Sequence, residues 1–354
     1  MKQLAVAMAV ATLGTAAYAQ SSVTLYGLVD TGIRVDRTNA GTGVSVGGGM
    51  GSGSRWGIRG SEDLGGGLSA IFTLEGGYGA DTGASGQGGL LFGRQAFVGL
   101  RGSYGTLTFG RQYTPFFWAT LAVDPVEYGT VANINNIYTR VVLRTNNSAV
   151  YQTPKLAGFE ARLLYAPGET TAPGVARSAG GQLGGSLTFS SGGLMVNYAY
   201  QEVKGAQNVA NTPKEKHNQI GLTYKLFGDT KLSASYATFE NDAAVNAVDF
   251  KNYWVALDGR ITQSSTWMAT YGRINDESAA NRDGSLLGLC LMYHLSRRTD
   301  LHFAVARMDN GSNAQYLITD STNTGLQTTG LQSVATVPPG YSPTALGIGI
   351  RHRF

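Results

Sequence analysis

Arginine dominates the basic residues of this chain, with 19 arginines against 8 lysines. A guanidinium group is planar and always charged, so this excess suits side chains that line a wet passage or form ion-pair networks. Arg55, Arg59, Arg94 and Arg144 lie on the polar side of segments in which apolar and polar residues alternate. Like charges about 4 Å apart repel by only about 1 kcal/mol in bulk water. A cluster of these arginines could therefore stay charged in a water-filled passage and attract anions.

Catalytic and metal-binding patterns are missing from the sequence. There are four histidines: His217 in an expected loop, His294 and His302 beside an expected turn, and His352 at the end. No GxSxG, P-loop, HExxH or EF-hand pattern occurs. Because covalent catalysis needs a nucleophile and a base in hydrogen-bond reach, an enzyme is the disfavoured alternative. We expect no catalytic residue, no metal ligand and no cofactor.

The elements that must position the arginines are alternating segments of eight to twelve residues joined by tight turns. The seven turns are residues 61–67, 102–106, 154–158, 190–193, 226–230, 261–265 and 295–299. Each turn lies at the centre of a hairpin, so the seven hairpins give fourteen strands. Residues 22–34 and 343–354 add one strand at each terminus, for a total of sixteen. Longer polar stretches connect the hairpins. Short turns at one end and long loops at the other are typical of a transmembrane β-barrel.

The first residues predict export. A lysine is followed by an apolar run at residues 4–13 and by the small-x-small site Ala-Tyr-Ala at residues 17–19, a pattern typical of a cleaved secretory signal. We expect residues 1–19 to be removed and one barrel domain to occupy residues 20–354. An N-terminal anchor helix is the alternative, but the run is too short for a bilayer core of about 30 Å.

The composition also favours a membrane barrel. Charged residues make up 14% of the chain, against about 25% in an ordinary soluble domain. After residue 20 the longest uncharged apolar run is eight residues, 286–293, whereas a transmembrane helix needs about 20. Loss of Lys2 with the signal would lower the formal net charge from +4 to +3. That charge is too small to indicate a nucleic-acid partner.

Alternation assigns the two faces of the predicted wall. Ile220, Leu222 and Tyr224 share one face, while Gln219 and Thr223 share the other. A soluble β-sandwich would alternate in the same way, but aromatic residues on the apolar face indicate the girdles of a membrane barrel. These aromatic residues are Tyr151, Tyr165, Tyr198, Tyr200, Tyr224, Tyr253, Trp267, Tyr271 and Tyr293. The predicted fold is an all-β, 16-stranded antiparallel transmembrane β-barrel.

Several segments resemble the trimeric general-diffusion porins of Gram-negative outer membranes, in particular the β-proteobacterial type. They are SSVTLYGLVD (21–30), SRWGIRGSEDLGGGLSAIFTLE (54–75), LFGRQAFVGL (91–100), GTLTFGRQ (105–112), RTNNSAVYQTP (144–154), YHLSRRTDL (293–301) and GIGIRHRF (347–354). The resemblance implies a homotrimer in outer-membrane lipid and lipopolysaccharide that lets small hydrophilic solutes diffuse. The terminal Phe354 is similar to the signal that the outer-membrane assembly machinery reads, although His352 replaces a more usual aromatic residue.

The third long loop, residues 113–142, is the candidate for narrowing the channel, which a sixteen-stranded barrel otherwise leaves wide. Its segment DPVEYG at residues 124–129 resembles the constriction-loop motif of the family, usually PEFGG, with Val126 and Thr130 as departures. We therefore expect loop 3, as we call this segment, to fold into the barrel. An external loop with an ordinary acidic turn is the alternative.

The family places basic residues opposite the acids of this loop, which implies that the arginines face Asp124 and Glu127. Arg55, Arg94 and Arg144 stand six, eight and ten residues before their turns. That progression suits a row of arginines at one height in the barrel, because strand tilt shifts the residues that lie at the same height by roughly three positions per pair of strands. Arg59 is expected on the same wall, and Glu75 also points inward and would offset part of its charge. The prediction is a modest anion preference; the alternative is that these arginines only stiffen the wall by pairing with Glu75 and the loop acids.

Arg111 falls on the apolar face with Leu107 and Phe109. Lipid exposure would cost up to about 2–4 kcal/mol near the bilayer midplane, so a subunit interface is the better position. Thr145 and Asn147 are also expected to face outward nearby. We predict that this surface faces the trimer axis, with a register-shifting bulge as the alternative.

Two further functions remain open from the sequence. A substrate-specific channel on the same fold would use an aromatic track, for which the YTPFFW segment at residues 113–118 is the candidate. A purely structural or adhesive barrel would conduct no ions. The sequence assigns no role to the long loop at residues 309–342.

Overall fold

The computed structural model describes residues 21–169, 177–205, 214–241, 248–321 and 337–354. The predicted signal sequence, residues 1–19, lies outside the described residues, so its removal stays a prediction. Helix in the described residues is limited to Pro115–Leu121 and to short 3-10 segments at Gln87–Gly89 and Ile134–Asn136. Over the same residues, no helix is long and apolar enough to cross a membrane.

Seventeen strands form one antiparallel sheet. In chain order they are β1 (Ser22–Thr38), β2 (Gly41–Gly48), β3 (Arg55–Gly65), β4 (Leu68–Gly77), β5 (Gln95–Gly102), β6 (Gly105–Tyr113), β7 (Arg144–Gln152), β8 (Phe159–Ala166), β9 (Gln182–Ser191), β10 (Leu194–Val203), β11 (Glu215–Phe227), β12 (Thr230–Asn241), β13 (Asp249–Thr262), β14 (Ser265–Asp276), β15 (Gly284–His294), β16 (Thr299–Asn310) and β17 (Thr344–Arg353).

The seventeen strands make a barrel of sixteen. β2 pairs with the second half of β1, from Thr31 to Thr38, while β3 pairs with its first half, from Ser22 to Leu28. β2 and β3 thus occupy one position in the wall, separated by residues 49–54. The other edge of β1 pairs with β17, which closes the sheet. The predicted 16-stranded antiparallel barrel is confirmed.

All seven predicted turns join neighbouring strands. They connect β3 to β4, β5 to β6, β7 to β8, β9 to β10, β11 to β12, β13 to β14 and β15 to β16. The first turn shows why the sequence needs glycine there. Gly65, Gly66 and Gly67 have φ of 83°, 61° and 78°, a left-handed conformation that side chains other than glycine rarely adopt.

The outer face of the barrel is apolar, as alternation predicted. Large exposed residues include Val98, Leu163 and Ile220, each more than half exposed. Six of the nine aromatic residues predicted for this face are exposed: Tyr165, Tyr198, Tyr224, Tyr253, Tyr271 and Tyr293. The other three, Tyr151, Tyr200 and Trp267, are half-buried. Apolar exposure of this extent suits a surface that contacts lipid.

The largest buried cluster lies inside the barrel, between loop 3 and the inner wall. Loop 3 contributes Phe116, Val123, Ile134, Ile137 and Tyr138, all fully buried. They pack against inward-facing wall residues, among them Ala199, Ala237, Phe239, Trp254, Ile274, Leu286 and Met308. The predicted inward folding of loop 3 is confirmed, and the external-loop alternative is excluded.

Candidate functional site

A cavity of about 370 Å³ lies between loop 3 and the wall formed by β1 and by β3 to β7. Six of the charged residues singled out from the sequence line this cavity: Arg55, Arg59, Glu75, Arg94, Glu127 and Arg144. They come from β3, β4, β7 and the loops beside them. The barrel brings them together because the alternating strands turn these positions toward the lumen. The cavity is therefore the candidate channel constriction.

A hydrogen-bonded network crosses the wall of the cavity from β1 to β7. The Tyr26 hydroxyl donates to Glu75 Oε2 at 2.9 Å, and Arg94 Nε donates to Glu75 Oε1 at 2.8 Å. Arg94 Nη2 and Arg144 Nη2 then donate to the Tyr113 hydroxyl at 2.7 and 2.6 Å. The side chains of Arg94 and Glu75 are only 6% and 5% exposed, so removal of either would cost about 3–5 kcal/mol.

Three of the four arginines have no carboxylate within salt-bridge distance among the described residues. Among the described residues, Arg55, Arg59 and Arg144 form no salt bridge, whereas Arg94 pairs with Glu75. Arg55 Nε donates to the Gly53 carbonyl at 3.1 Å, and the Arg59 guanidinium lies 5.0 Å from the centre of the Tyr26 ring. Arg94 thus pairs with Glu75 as the alternative expected, and the other three form no salt bridge within the described part of the chain.

Small residues in the wall make room for loop 3. A Cβ atom at Gly221 would lie 2.8 Å from Val123 Cγ1, and one at Gly272 would lie 2.3 Å from Ile137 Cγ1. Both distances are well below the carbon–carbon contact of about 3.5–4.0 Å. Only glycine therefore allows loop 3 to sit this close to β11 and β14.

Polar wall residues hold the loop backbone in place. Asn197 Nδ2 donates to the Ala119 carbonyl at 2.9 Å, Asn252 Nδ2 to Ile137 at 2.8 Å and Thr270 Oγ1 to Ala132 at 2.9 Å. Thr114 precedes the helix at the root of the loop, and its hydroxyl accepts a hydrogen bond from Phe117 N at 3.1 Å, so Thr114 is the N-cap of that helix. These contacts fix loop 3 along the inner wall from β10 to β14.

The return segment of loop 3 is joined to β11 by an ion pair between Arg140 and Glu215. Arg140 Nε donates to Glu215 Oε1 at 2.6 Å, and His217 Nε2 lies 2.8 Å from the same oxygen. His217 is fully buried and packs edge-on against Phe116 and Phe239. The expectation that His217 lies in a loop is wrong, because it is in β11.

The two acids of the loop tip have different surroundings. Glu127 is exposed and lines the cavity, as expected. Asp124 is 3% exposed and does not line it. Its carboxylate accepts hydrogen bonds from the backbone amides of Tyr128 at 2.9 Å, Val126 at 3.3 Å and Ile134 at 3.4 Å.

The expectation that Asp124 faces the arginines is therefore corrected. Its carboxylate satisfies backbone donors of the loop's own tip, a need that residue type and spacing did not reveal. Burial is the main cause that raises the pKa of Asp124 to about 7, although the three amides lower it. Glu127 and Tyr128 have φ of 53° and 59°, so Asp124 stabilises a tip that non-glycine residues rarely form.

Arg111 lies opposite a bulge. β6 and β7 pair at Gly110↔Ser148 and at Gln112↔Thr145, so β7 has one extra residue in this interval. Arg111 is half-buried; its Nε donates to the Gly93 carbonyl at 2.7 Å and its Nη1 to Asn146 Oδ1 at 2.5 Å. The register-shifting bulge that we weighed as the alternative is present. Thr145, expected to face outward, is buried at 5% exposure. An interface role for Arg111 stays a prediction.

The last residue, Phe354, lies at the seam that closes the barrel. Its backbone amide and carbonyl exchange hydrogen bonds with Gly27 at 3.0 and 3.2 Å, while its side chain is 48% exposed. A Cβ atom at Gly27 would lie 2.4 Å from the Phe354 ring, so glycine is needed at this contact. The role of Phe354 as an assembly signal stays a prediction.

Sequence reasoning missed two residues at the cavity, Tyr26 and Asp320, and considered Tyr113 only as part of an aromatic track. Tyr26 and Tyr113 connect the charged groups of the wall, and Asp320 lines the cavity from the loop that follows β16. Asp320 accepts from Arg34 Nη1 at 2.6 Å. Tyr113 directly follows the GRQ segment at the start of loop 3, and that position was the available signal. Nothing in the sequence indicated Asp320.

The comparisons with known proteins agree with this architecture. A family profile described as Gram-negative porin matches residues 5–313. The chain belongs to the Gram-negative porin family. Outer membrane porin protein 32 of Delftia acidovorans is 32% identical to this porin over 374 residues, with all of both chains covered. An outer membrane porin protein of Bordetella pertussis is 29% identical over 415 residues, also with all of both chains covered.

Solved structures agree with the same assignment. The anion-selective porin from Comamonas acidovorans matches with a TM-score of 0.80 and 29% identity, covering 95% of this porin and 100% of that chain. The outer membrane protein OmpT of Vibrio cholerae matches with a TM-score of 0.67 at 17% identity, which supports the fold alone. The resemblance to β-proteobacterial porins and the location in the outer membrane are confirmed.

Proposed function

We propose that this porin forms a water-filled channel through which small hydrophilic solutes and ions diffuse passively, with a modest preference for anions. The observation that carries the proposal is the set of unpaired charges at the cavity. Arg55, Arg59 and Arg144 line it without a salt bridge among the described residues, against one lining carboxylate in the same condition, Glu127. Glu75 and Asp320 are each held by an arginine.

This charge arrangement supports diffusion with a preference. Basic groups on the wall and an acid on the loop tip set a field across the channel, which orders water and favours polar solutes over apolar ones. Arginines around a pore favour anions. A solved porin that matches this chain at 29% identity is described as anion-selective, which supports the same sign here.

We further propose that this porin works as a homotrimer in contact with outer-membrane lipid and lipopolysaccharide after insertion by the assembly machinery. The guanidinium of Arg111 beside the exposed Asn146 makes a polar patch on an otherwise apolar outer face. Contact with another subunit would suit this patch better than contact with lipid. A trimer should give conductance steps in groups of three.

The reversal potential of single channels in a planar bilayer under a tenfold KCl gradient tests the proposal. The anion-selective sign is the expected result. The cation-selective sign would keep the channel and refute the proposed effect of the arginine wall. Absence of conductance from folded protein would refute the channel and favour a structural or adhesive barrel.

A substrate-specific channel on the same fold is the second candidate. Trp118 is 37% exposed, lines the cavity, and has the Arg162 guanidinium 5.6 Å from its ring. Against this candidate, Phe116 is fully buried at the root of loop 3, and Phe117, although it lines the cavity, is only 6% exposed; the aromatic surface open to a solute is therefore mainly that of Trp118. Saturation of the conductance with solute concentration would favour the specific channel.

A further inference from the structure

Two guanidinium groups converge on one phenol at the constriction. The hydroxyl of Tyr113 accepts from Arg94 Nη2 at 2.7 Å and from Arg144 Nη2 at 2.6 Å. A phenolic oxygen has two acceptor lone pairs, so the two arginines together use its whole acceptor capacity. Tyr113 is 6% exposed, and solvent therefore offers little replacement for it.

The two arginines depend on Tyr113 to different degrees. Arg94 is also held by Glu75 through its Nε at 2.8 Å. For Arg144, the side-chain hydrogen bond and the aromatic-ring contact in the described part of the chain both go to Tyr113, with the guanidinium 4.3 Å from the centre of the ring. The Nε of Arg144 is buried and has no partner among these residues. The direction of the Arg144 guanidinium is thus set by Tyr113.

The ring of Tyr113 is itself fixed by loop 3. It stacks on Phe117 with 4.2 Å between ring centres and 15° between ring planes. Trp118 meets the same ring edge-on at 5.4 Å. Since these contacts involve only the ring, loss of the hydroxyl should leave the packing of the loop root intact.

We infer that Tyr113 is a positioning residue for ion selectivity, whose hydroxyl keeps the Arg144 guanidinium in the channel beside Arg94. The inference rests on the proposed channel function and adds a residue to it. Arg144 and Arg94 repel each other, and their common acceptor offsets this repulsion. Without it, Arg144 is free to turn away from Arg94 and the charge density at the constriction falls.

The test begins with Tyr113→Phe, which removes one oxygen and keeps the stacked ring. Loss of a hydrogen bond to a charged group should lower the equilibrium ratio of the Arg144 orientation seen here to its other orientations by about tenfold or more. We expect the anion-to-cation permeability ratio, measured from the reversal potential in 0.1 M KCl, to fall by about twofold or more. The loss of selectivity is partial because the displaced Arg144 charge still lies within a Debye length of the constriction. Single-channel conductance should change little.

Tyr138→Phe is the matched control. Tyr138 is a fully buried tyrosine of the same loop, and its hydroxyl lies 2.7 Å from Ser235 Oγ, away from the cavity arginines. The substitution deletes the same atom and perturbs loop 3 without a contact to Arg144. It should leave the permeability ratio unchanged, so an equal shift in both variants would overturn the inference.

A double-mutant cycle separates positioning from a general structural effect. If Tyr113 acts through Arg144, then Arg144→Gln alone and Arg144→Gln with Tyr113→Phe should give the same permeability ratio. An undiminished effect of Tyr113→Phe in the Arg144→Gln background, or no effect in the parent, would overturn the inference and leave the proposed function intact. A parent channel without anion preference would instead refute the proposed function, while the cycle would still report whether the two residues are coupled.

Discussion

Replacement of Glu127 by glutamine should increase the preference of the channel for anions. Glu127 is the exposed acid of the loop tip, and it lines the cavity with three arginines that form no salt bridge among the described residues. The substitution removes one negative charge and keeps the size and most of the polarity of the side chain. A passing anion then loses a repulsive partner, and a passing cation loses an attractive one.

The size of the cavity sets the expected magnitude. A volume of about 370 Å³ corresponds to a sphere with a radius of about 4.5 Å, so a lining charge lies about 5 Å from a central ion. In water this separation gives an interaction of about 0.8 kcal/mol, which a Debye length of about 10 Å at 0.1 M salt reduces to about 0.5 kcal/mol. Because the effect has opposite signs for anion and cation, the permeability ratio should change by about fivefold.

The assay is the reversal potential of single channels under a KCl gradient, measured around 0.1 M and again around 1 M salt. At 1 M the Debye length falls to about 3 Å, so the change in the ratio should shrink to less than about twofold. A shift that does not depend on salt would mean that Glu127→Gln altered the pore shape and not its electrostatics.

Asp124→Asn is the control from the same loop. Its carboxylate does not line the cavity, and asparagine keeps an acceptor oxygen for the tip amides, so this substitution should shift the permeability ratio much less than Glu127→Gln does. The reasoning is refuted if Asp124→Asn shifts the ratio as far as Glu127→Gln does. It is also refuted if Glu127→Gln has no effect at low salt.

Three further results are expected. Burial raises the pKa of Asp124 to about 7, against about 3.9 when the carboxyl group is solvated. Protonation of Asp124 therefore stabilises the folded tip of loop 3 below about pH 4, and this stabilisation is lost as the pH rises to about 7. Open-channel current noise should therefore grow over that interval, and this dependence should vanish in Asp124→Asn. Gly288→Val should destabilise the packing of loop 3 against β15 by about 1–3 kcal/mol, because a Cβ atom at Gly288 would lie 2.5 Å from Ala132 Cβ. The expected result is a larger fluctuation of the single-channel conductance. Gly43→Val is the control and should behave as the parent, because the space around Gly43 is open. Glu215→Gln weakens the contacts to Arg140 and His217 and should lower the free energy of unfolding by about 2 kcal/mol, less than the about 3–5 kcal/mol expected for a fully buried pair. A lower temperature of thermal unfolding would show this loss.

The fold was predictable because the period of two and the hairpin turns together determine the wall. Each tight turn fixes where two strands meet, and alternation then fixes which side chains face the lumen. That is why Arg55, Arg59, Arg144 and Glu75 reach one cavity from β3, β4 and β7. The split of one wall position into β2 and β3 was not predicted: the glycine- and serine-rich residues 49–54 indicate a break in the strand, but not that β3 resumes in the same wall position.

The finer geometry of the site depends on contacts between segments far apart in sequence. Asp124 faces its own backbone because the tip amides need an acceptor, and a carboxylate in a loop gives no sign of which donors it will meet. The Tyr113 hydroxyl meets Arg94 and Arg144 only after β6 and β7 pair and loop 3 folds inward. His217 lies in β11 because strand pairing continues to Glu215, past the point where sequence alternation weakens.

The positive charges at the constriction are fixed more firmly than the negative charge of Glu127. Arg55, Arg59 and Arg144 belong to barrel strands, whose positions are set by continuous pairing. Glu127 lies on a tip where left-handed residues cost about 1–3 kcal/mol each, offset in part by the amides bonded to Asp124. A change in the tip therefore moves the negative charge more easily than the positive ones. It follows that loosening of the tip should make the channel both wider and more anion-selective.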